Sequence, residues 1–300
     1  MKTIPPSLTI GLATFAGVCH GMISRYDTDF WASIPVETWK PVLGAPWQIV
    51  LSNTLNLSET VVPSTIQIFD IDLFDNTNDG IDDSAINTLH GLGKKVICYF
   101  SAGTFEPERP DASRFEAADM GKELPDWPGE KWLNLNSKNV RSIMDDRIAL
   151  AARMGCDAID PDNVDAYDND NGLGLKEADS ISFVEYLAAE AYQYNMAIGL
   201  KNAGAIIDDV QDVVHFAVNE QCVDQKECKV YTKFLASLKP VFHIEYPAGA
   251  GKSVSEKDRK LNCEGSDVGI PNFSTVLKTE DLDGWTEYCD GTVVTTAVER

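Results

Sequence analysis

Positive charge is what this 300-residue chain has least of: 25 Lys and Arg stand against 47 Asp and Glu, a formal balance of −22. That excludes a nucleic-acid ligand, because binding one needs an electropositive face that displaces counterions from phosphate. So acidic a surface attracts cationic partners instead, besides keeping the protein soluble. Histidine is also scarce, at four residues. None has metal-site spacing or a Ser or Cys that it could activate. The chain has no serine nucleophile elbow, no Gly-x-Gly-x-x-Gly after a strand-like run and no Gly-rich phosphate loop. Triad hydrolysis, dinucleotide binding and nucleotide hydrolysis are set aside together. Neither a cofactor nor a metal is expected. Internal repeats and low-complexity linkers are missing too, which predicts one domain. Past the first twenty residues no apolar run approaches the ~20 needed to span a bilayer, so membrane insertion is not expected.

The N-terminus reads as a secretory signal. Lys2 precedes an apolar stretch over 8–18, and the small residues Cys19 and Gly21 suit cleavage after Gly21. Residues 1–21 are then the signal peptide and 22–300 the mature domain of a secreted, extracellular monomer. Removing the signal leaves six of the seven cysteines, an even number that suits disulfides outside the cell. Cys222 with Cys228, Cys263 with Cys289 and Cys98 with Cys156 is one pairing, and others remain open. Asn56-Leu57-Ser58 and Asn272-Phe273-Ser274 are glycosylation acceptors.

Short β-branched and aromatic runs alternate with helical patterns. Strands are predicted at 47–51, 65–71, 95–100, 156–161, 196–200, 215–218 and 240–244, with a shorter eighth at 275–277. The run Val96-Ile97-Cys98-Tyr99-Phe100 is apolar throughout, as a strand covered on both faces should be. Helices are predicted at 84–90, 140–154 and 178–194. The second carries Val140, Ile143, Met144, Ile148 and Ala151 on one stripe and ends at Gly155. The third turns Ile181, Val184, Leu187, Ala188 and Ala191 inward. Residues 248–260 read as a loop. Strands separated by helices imply right-handed βαβ units, and seven or eight of them favour a closed (β/α)₈ TIM barrel over an open sheet.

In such a barrel the carboxyl end of each strand faces the catalytic mouth. Here those ends are polar: Asp70 and Asp72; Ser101-Ala102-Gly103-Thr104 and then Glu106; Asp160-Pro161-Asp162-Asn163-Val164-Asp165; Lys201-Asn202; Asn219-Glu220-Gln221; Glu245-Tyr246. Turn formation explains one or two such acids, Asp165 among them, but not acids at four separate strand ends. Glycosidic cleavage needs this chemistry, with one carboxyl to protonate the leaving oxygen and one to attack or to activate water. Asp160 and Asp162 are two apart on one strand and point the same way. They are therefore a supporting group and a substrate-facing group rather than the catalytic pair. The acidic run Asp75-Asn76-Thr77-Asn78-Asp79-Gly80-Ile81-Asp82-Asp83 resembles a calcium loop. It has Ile86 where the bidentate Glu belongs, so it reads as a helix-capping loop. Trp39, Tyr167, Tyr246, Trp285 and Trp127 could stack on sugars, while Trp47 and Tyr99 could equally be core.

These motifs resemble glycoside hydrolase family 114. The resemblance rests on Phe69-Asp70-Ile71-Asp72, the run from Val96 through Ser101-Ala102-Gly103-Thr104, Asp160-Pro161-Asp162-Asn163-Val164-Asp165, Gly199-Leu200-Lys201-Asn202 and Asn219-Glu220-Gln221-Cys222. The family comprises endo-α-1,4-polygalactosaminidases with a (β/α)₈ barrel. The resemblance implies a substrate of α-1,4-linked galactosamine, in galactosaminogalactan, and a catalytic pair at Asp162 and Glu220. On this reading Asp162 is the nucleophile of a retaining mechanism. Glu220 is the acid/base, its carboxyl pKa raised by the apolar segment before it. Asp70, Asp72, Asp160, Asn163, Asp165, Lys201, Asn202, Glu245 and Tyr246 are the expected substrate-binding set. A deacetylated galactosamine polymer is a polycation, which fits the acidic balance. Two alternatives are a barrel that cuts another α-linked or N-acetylated hexose polymer, and a catalytically silent barrel that binds polysaccharide.

Charge steering is testable directly. Cleavage of deacetylated polymer should weaken as salt is raised, because screening shortens electrostatic reach to ~8 Å at physiological ionic strength. Acetylated polymer should be a poorer substrate with little salt dependence. Equal rates on both polymers at low and high salt would remove the steering argument.

Overall fold

The computed structural model describes residues 37–58, 64–264 and 272–299. The signal peptide over 1–21, and the expected domain as far as residue 36, lie outside the described residues. The elements in chain order begin with β1 (Trp47–Val50), β2 (Ile68–Asp72), α1 (Ser84–Gly91) and β3 (Lys95–Ser101). A side sheet follows, made of β4 (Thr104–Phe105), β5 (Met120–Leu124) and β6 (Trp127–Leu133). Then come α2 (Lys138–Met154), β7 (Ala158–Asp162), α3 (Glu177–Gln193), β8 (Ala197–Lys201), α4 (Ile207–Val210) and β9 (Phe216–Glu220). The chain continues through α5 (Cys222–Gln225), α6 (Cys228–Ala236), β10 (Val241–Glu245), α7 (Glu256–Glu264), β11 (Ser274–Leu277), β12 (Trp285–Tyr288) and β13 (Val293–Thr295).

Eight strands run parallel in the order β1-β2-β3-β7-β8-β9-β10-β11, and β12 and β13 extend the sheet antiparallel. This is the expected (β/α)₈ barrel, with all eight predicted strands in place to within a few residues. Its interior is filled by Trp47, Ile49, Ile68, Ile97, Ala158, Ala197, Phe216, Val218, Phe242, Ile244 and Val276. Trp47 and Phe216 pack on Phe242 with ring centroids at 4.9 and 5.4 Å. Gly199 makes room for the Phe216 ring, which would lie 2.4 Å from a Cβ there. Val96, Cys98 and Phe100 alternate with these positions and pack outward in the larger core beneath the helices.

The main-chain ladder stops between β11 and β1, and other groups close that seam. Trp47 Nε1 donates to Ser274 O at 2.6 Å, and Gln48 Nε2 to Gly284 O and Thr286 Oγ1 at 3.3 and 3.1 Å. The chain end runs back alongside: Leu51 N donates to Leu282 O, Asn56 N to Ala297 O and Glu299 N to Thr54 O. Three disulfides join Cys98 to Cys156, Cys222 to Cys228 and Cys263 to Cys289.

The predicted helices hold. In α2 the Ser137 hydroxyl accepts from Asn139 N and Val140 N, and Gly155 ends the helix at φ +95°. In α3 Phe183 takes a fully buried place while Ile181 is only half-buried. One loop expectation is corrected, and one connection holds a sheet that was not predicted. Residues 248–260 run into α7, and the connection after β3 carries a three-stranded antiparallel sheet in the order β4-β6-β5. Pairing among half-buried and exposed residues leaves little hydrophobic alternation to read, which is why the sequence did not show it.

Arg147 of α2 ties this excursion to the barrel. Only 1% of its side chain is exposed, and it binds Asp111 through Nε and Nη2 at 2.8 and 2.7 Å and Ser101 O through Nη1 at 2.6 Å. Phe74 and Phe115 flank its guanidinium. Arg147→Ala would leave Asp111 and a buried carbonyl without their donor, and breaking such pairs costs about 3–5 kcal/mol. Denaturant unfolding should show a loss of that size. A change below about 1 kcal/mol, the scale of an exposed ion pair, would mean that the pair does not anchor the excursion.

Candidate active site

Three strands end in the same way. Asp162 closes β7, Lys201 closes β8 and Glu220 closes β9. The next residue in each case, Asn163, Asn202 and Gln221, turns left-handed at φ +63°, +49° and +60°. Asn accepts that conformation at low cost. Each turn carries the chain away at once and leaves the last side chain of the strand projecting into the mouth. The Ser101-Ala102-Gly103-Thr104 motif wraps the first turn. Ala102 N and Gly103 N donate to Asp162 O at 2.9 and 3.0 Å, and a Cβ on Gly103 would lie 1.8 Å from Asn163 O.

Lys201 lies at the centre. Its ammonium, 1% exposed, is 3.0 Å from Asp162 Oδ2 and 3.2 Å from Glu220 Oε2. Asp162 also accepts from the Tyr99 hydroxyl at 3.0 Å and, through Oδ1, from Asn163 N at 2.7 Å. Glu220 accepts from Asn202 Nδ2 at 3.2 Å and from the Tyr246 hydroxyl, while its own main-chain N donates to Asn202 Oδ1 at 2.9 Å. Burial disfavours an ammonium, but Asp162, Glu220 and Asp160 outweigh it and push the Lys201 pKa well above its usual value.

The expected rise in the Glu220 pKa is not what the site produces. Burial does push it up, but Lys201 and the hydrogen bonds from Tyr246 and Asn202 outweigh burial and hold it below the usual glutamate value. Asp70 and Asp160 are fully buried on the barrel interior, and neither carboxyl has a hydrogen-bond partner beyond the two of them. Burial is the main cause raising both, and in Asp70 the Asp160 charge adds to it. Together they behave as an acid–carboxylate pair beneath Lys201.

Two more expected substrate contacts are already engaged by the protein. Asp72, 1% exposed, takes both arms of Arg109 at 3.0 and 2.6 Å and the main-chain N–H groups of Phe74 and Asp75. Burial nonetheless raises it to about 6. Glu245, 2% exposed, accepts from Val223 N at 2.7 Å and meets His243 Nε2 at 2.8 Å. Asp165 stays half-exposed at the rim, raised to about 6 by burial and by the Asp162 charge. Among the aromatics, Trp47 and Trp285 are buried, Tyr99 and Tyr246 flank the two carboxylates, and Trp127 is exposed on β6.

Sequence reasoning missed Glu130 and Arg109. Glu130 reaches the site from β6, where its oxygen Oε1 takes Thr104 Oγ1 and Asn163 Nδ2. Arg109 bridges Asp72 and Glu106. Neither ends a barrel strand, and only Glu106, the partner of Arg109, follows closely enough on β3 to carry a signal. In the 75–83 loop the side chains serve the fold: Asn76 Oδ1 accepts from Leu55 N and Asp82 Oδ1 from Ser84 N at the start of α1. The His/Cys/Asp/Glu cluster with metal-ligand proximity among the described residues is Cys222, Cys228 and His243, and its two sulfurs are bonded to each other.

A barrel mouth with two carboxylates from different strands and a cation between them defines a glycoside hydrolase. Comparison with known proteins agrees: residues 31–294 match glycoside-hydrolase family GH114, and the chain belongs to that family. The crystal structure of Aspergillus fumigatus Ega3 in complex with galactosamine is 50% identical in sequence. It covers 86% of this chain and all of its own, with a TM-score of 0.78. The glycoside hydrolase domain of PelA from Pseudomonas aeruginosa shares the fold at 13% identity and a TM-score of 0.57, over 85% of this chain and 99% of its own. No curated protein matches the chain. Among the described residues no helix is long and apolar enough to cross a membrane.

Lys201 is the largest influence lowering Glu220. Lys201→Met, similar in length but uncharged, should raise the Glu220 pKa and cut hydrolysis by about a hundredfold or more, the scale of a lost electrostatic stabiliser. A carbon-detected NMR titration of the Glu220 carboxyl reads the first effect directly. An unmoved Glu220 titration would show that Lys201 does not govern it.

Proposed function

We propose that this chain is a secreted, monomeric endo-hydrolase of α-1,4-linked galactosamine in galactosaminogalactan. It retains configuration, with Asp162 as nucleophile and Glu220 as acid/base. The observation that carries the mechanism is the shared ammonium. Asp162 Oδ2 and Glu220 Oε2 lie 3.0 and 3.2 Å from one nitrogen, so these two facing oxygens stand no more than about twice that apart, which favours the closer, retaining spacing. Retaining pairs stand ~5–5.5 Å apart, whereas inverting pairs need ~6.5–9.5 Å to admit a water. The substrate class is supported by the half-identical relative crystallised with galactosamine and by the excess of acidic residues. Three disulfides fit an oxidising compartment outside the cell.

In the first step Asp162 Oδ bonds to the anomeric carbon as the glycosidic bond breaks, and a proton from Glu220 goes to the leaving oxygen. In the second, Glu220 takes a proton from water, which attacks the same carbon and frees Asp162. Resting Glu220 is already in the carboxylate form that the second step needs. Protonation for the first step weakens its hold on Lys201, whose charge then serves Asp162. Asn163 and Asn202 orient the two carboxylates, and Asp165 and Tyr246 are left at the rim for sugar hydroxyls.

Asp162→Asn and Glu220→Gln preserve volume and remove the ionisable group, so each should lose activity by orders of magnitude while remaining folded. Azide should rescue Asp162→Asn with a glycosyl azide of inverted configuration. With a good leaving group it should rescue Glu220→Gln with retained configuration. The opposite pattern would exchange the two roles. Wild-type-like hydrolysis by either variant would remove that residue from the mechanism.

A further inference from the structure

Among the described residues, two cations at the mouth are paired with carboxylates. Lys201 serves Asp162 and Glu220, and Arg109 serves Asp72 and Glu106. Glu130, half-buried on β6, has no Lys, Arg or His nitrogen within ion-pair distance among the described residues. Its Oε1 is held by the Thr104 hydroxyl and by Asn163 Nδ2 at 3.3 Å, and Asn163 Nδ2 also donates to Thr104 Oγ1 at 2.8 Å. Its Oε2 accepts no hydrogen bond from the described residues and is not sealed from solvent. The same Asn163 gives its main-chain N–H to Asp162 Oδ1 at 2.7 Å. A single residue thus sets the distance between the free Glu130 oxygen and the attacking carboxylate.

A sugar whose anomeric carbon meets Asp162 carries its 2-substituent on the adjoining ring carbon. In galactosamine that substituent is an ammonium, and in the acetylated unit it is a neutral amide. We propose that Glu130 pairs with the 2-ammonium of the unit seated at Asp162 and so selects deacetylated over N-acetylated polymer. This rests on the galactosamine reading above and names the residue that reads the amine. A carboxylate–ammonium pair in a half-buried site is charge-assisted and specific, whereas an acetamide offers it only a neutral donor and a methyl group. Burial, with the charges of Glu106 and Asp162 nearby, raises the unliganded Glu130 to about 7 against the Thr104 hydrogen bond and the Arg109 charge. An arriving ammonium would make the direct ion pair with Glu130 that Arg109, bound to Asp72 and Glu106, does not make.

The test measures kcat/KM on deacetylated and N-acetylated polymer for the wild type, Glu130→Gln and Glu130→Ala, with free galactosamine and N-acetylgalactosamine as competitive inhibitors. The glutamine keeps an oxygen for Thr104 and removes only the charge. In the wild type the preference for deacetylated polymer should decline as pH falls through about 7, because protonated Glu130 loses its charge. Taking the ratio of the two substrates cancels the Glu220 contribution. In Glu130→Gln the preference should fall about tenfold, chiefly through KM, and lose that pH dependence, and galactosamine should inhibit about tenfold less. A wild type with no preference would sink the substrate reading itself. A preferring wild type whose variants keep the full preference would overturn the role of Glu130. A fall in kcat that is equal on both polymers would overturn it too, and would make Glu130 a structural or proton-donating group.

Discussion

The active site depends on one buried cation. Taking the Lys201 ammonium out of water costs several kcal/mol, and only excellent geometry with more than one anion offsets it. Asp162 and Glu220 supply that from the two neighbouring strands, at 3.0 and 3.2 Å. The arrangement works in both directions. The carboxylates keep the lysine charged in a place where it would otherwise shed its proton, and the lysine lets two carboxylates stand close without one being forced neutral. A close pair without a cation would behave like the two buried acids below it, where repulsion and burial favour sharing a proton.

That lower pair completes the logic. Asp70 and Asp160 receive no hydrogen bond from other groups and no solvent. Burial raises both carboxyls, and the Asp160 charge helps to hold Lys201 in its ammonium form. The barrel interior is therefore stratified. Aromatic and aliphatic residues fill the bottom, the Asp70–Asp160 pair makes the transition, and the Tyr99, Asp162, Lys201, Glu220 and Tyr246 group forms the top. Strand alternation makes this possible, because each step of two residues along a strand stays inside the barrel and moves one layer upward.

The side sheet gives the family chemistry a specificity of its own. It is anchored from below by Arg147 and Asp111, and it brings Glu130 to Asn163 without altering any barrel strand. The barrel strands end in Asp162 and Glu220, while the excursion after β3 carries Glu130, the group proposed to distinguish one sugar from another. Such division is general in these barrels, where connecting loops vary and strand ends hold the chemistry. The net acidity acts at longer range and would favour a cationic ligand at a mouth where Lys201 and Arg109 are already paired with carboxylates.

The strands, the helices α1, α2 and α3 and the mouth-facing carboxylates were legible in the sequence, because parallel buried strands are written as continuous apolar runs ending in polar residues. Asp162 was marked by position alone, since it ends a strand two residues past a second acid. The pairing of the Lys201 ammonium with both Asp162 and Glu220 was not legible, nor was the resulting fall in the Glu220 pKa. The apolar segment before Glu220 pointed the other way, and only distance decides whether burial or a cation prevails. Asp72 and Glu245 looked no different from Asp162 in the sequence, yet Arg109 and His243, which engage them, are brought there by loop and strand packing. Glu130 was the least legible of all: it arrives through hairpin pairing in a largely exposed segment, where no periodic burial leaves a trace. Local pattern determined which residues point at the mouth. Through-space electrostatics, which exist only once the barrel is closed, decided what each of them does there.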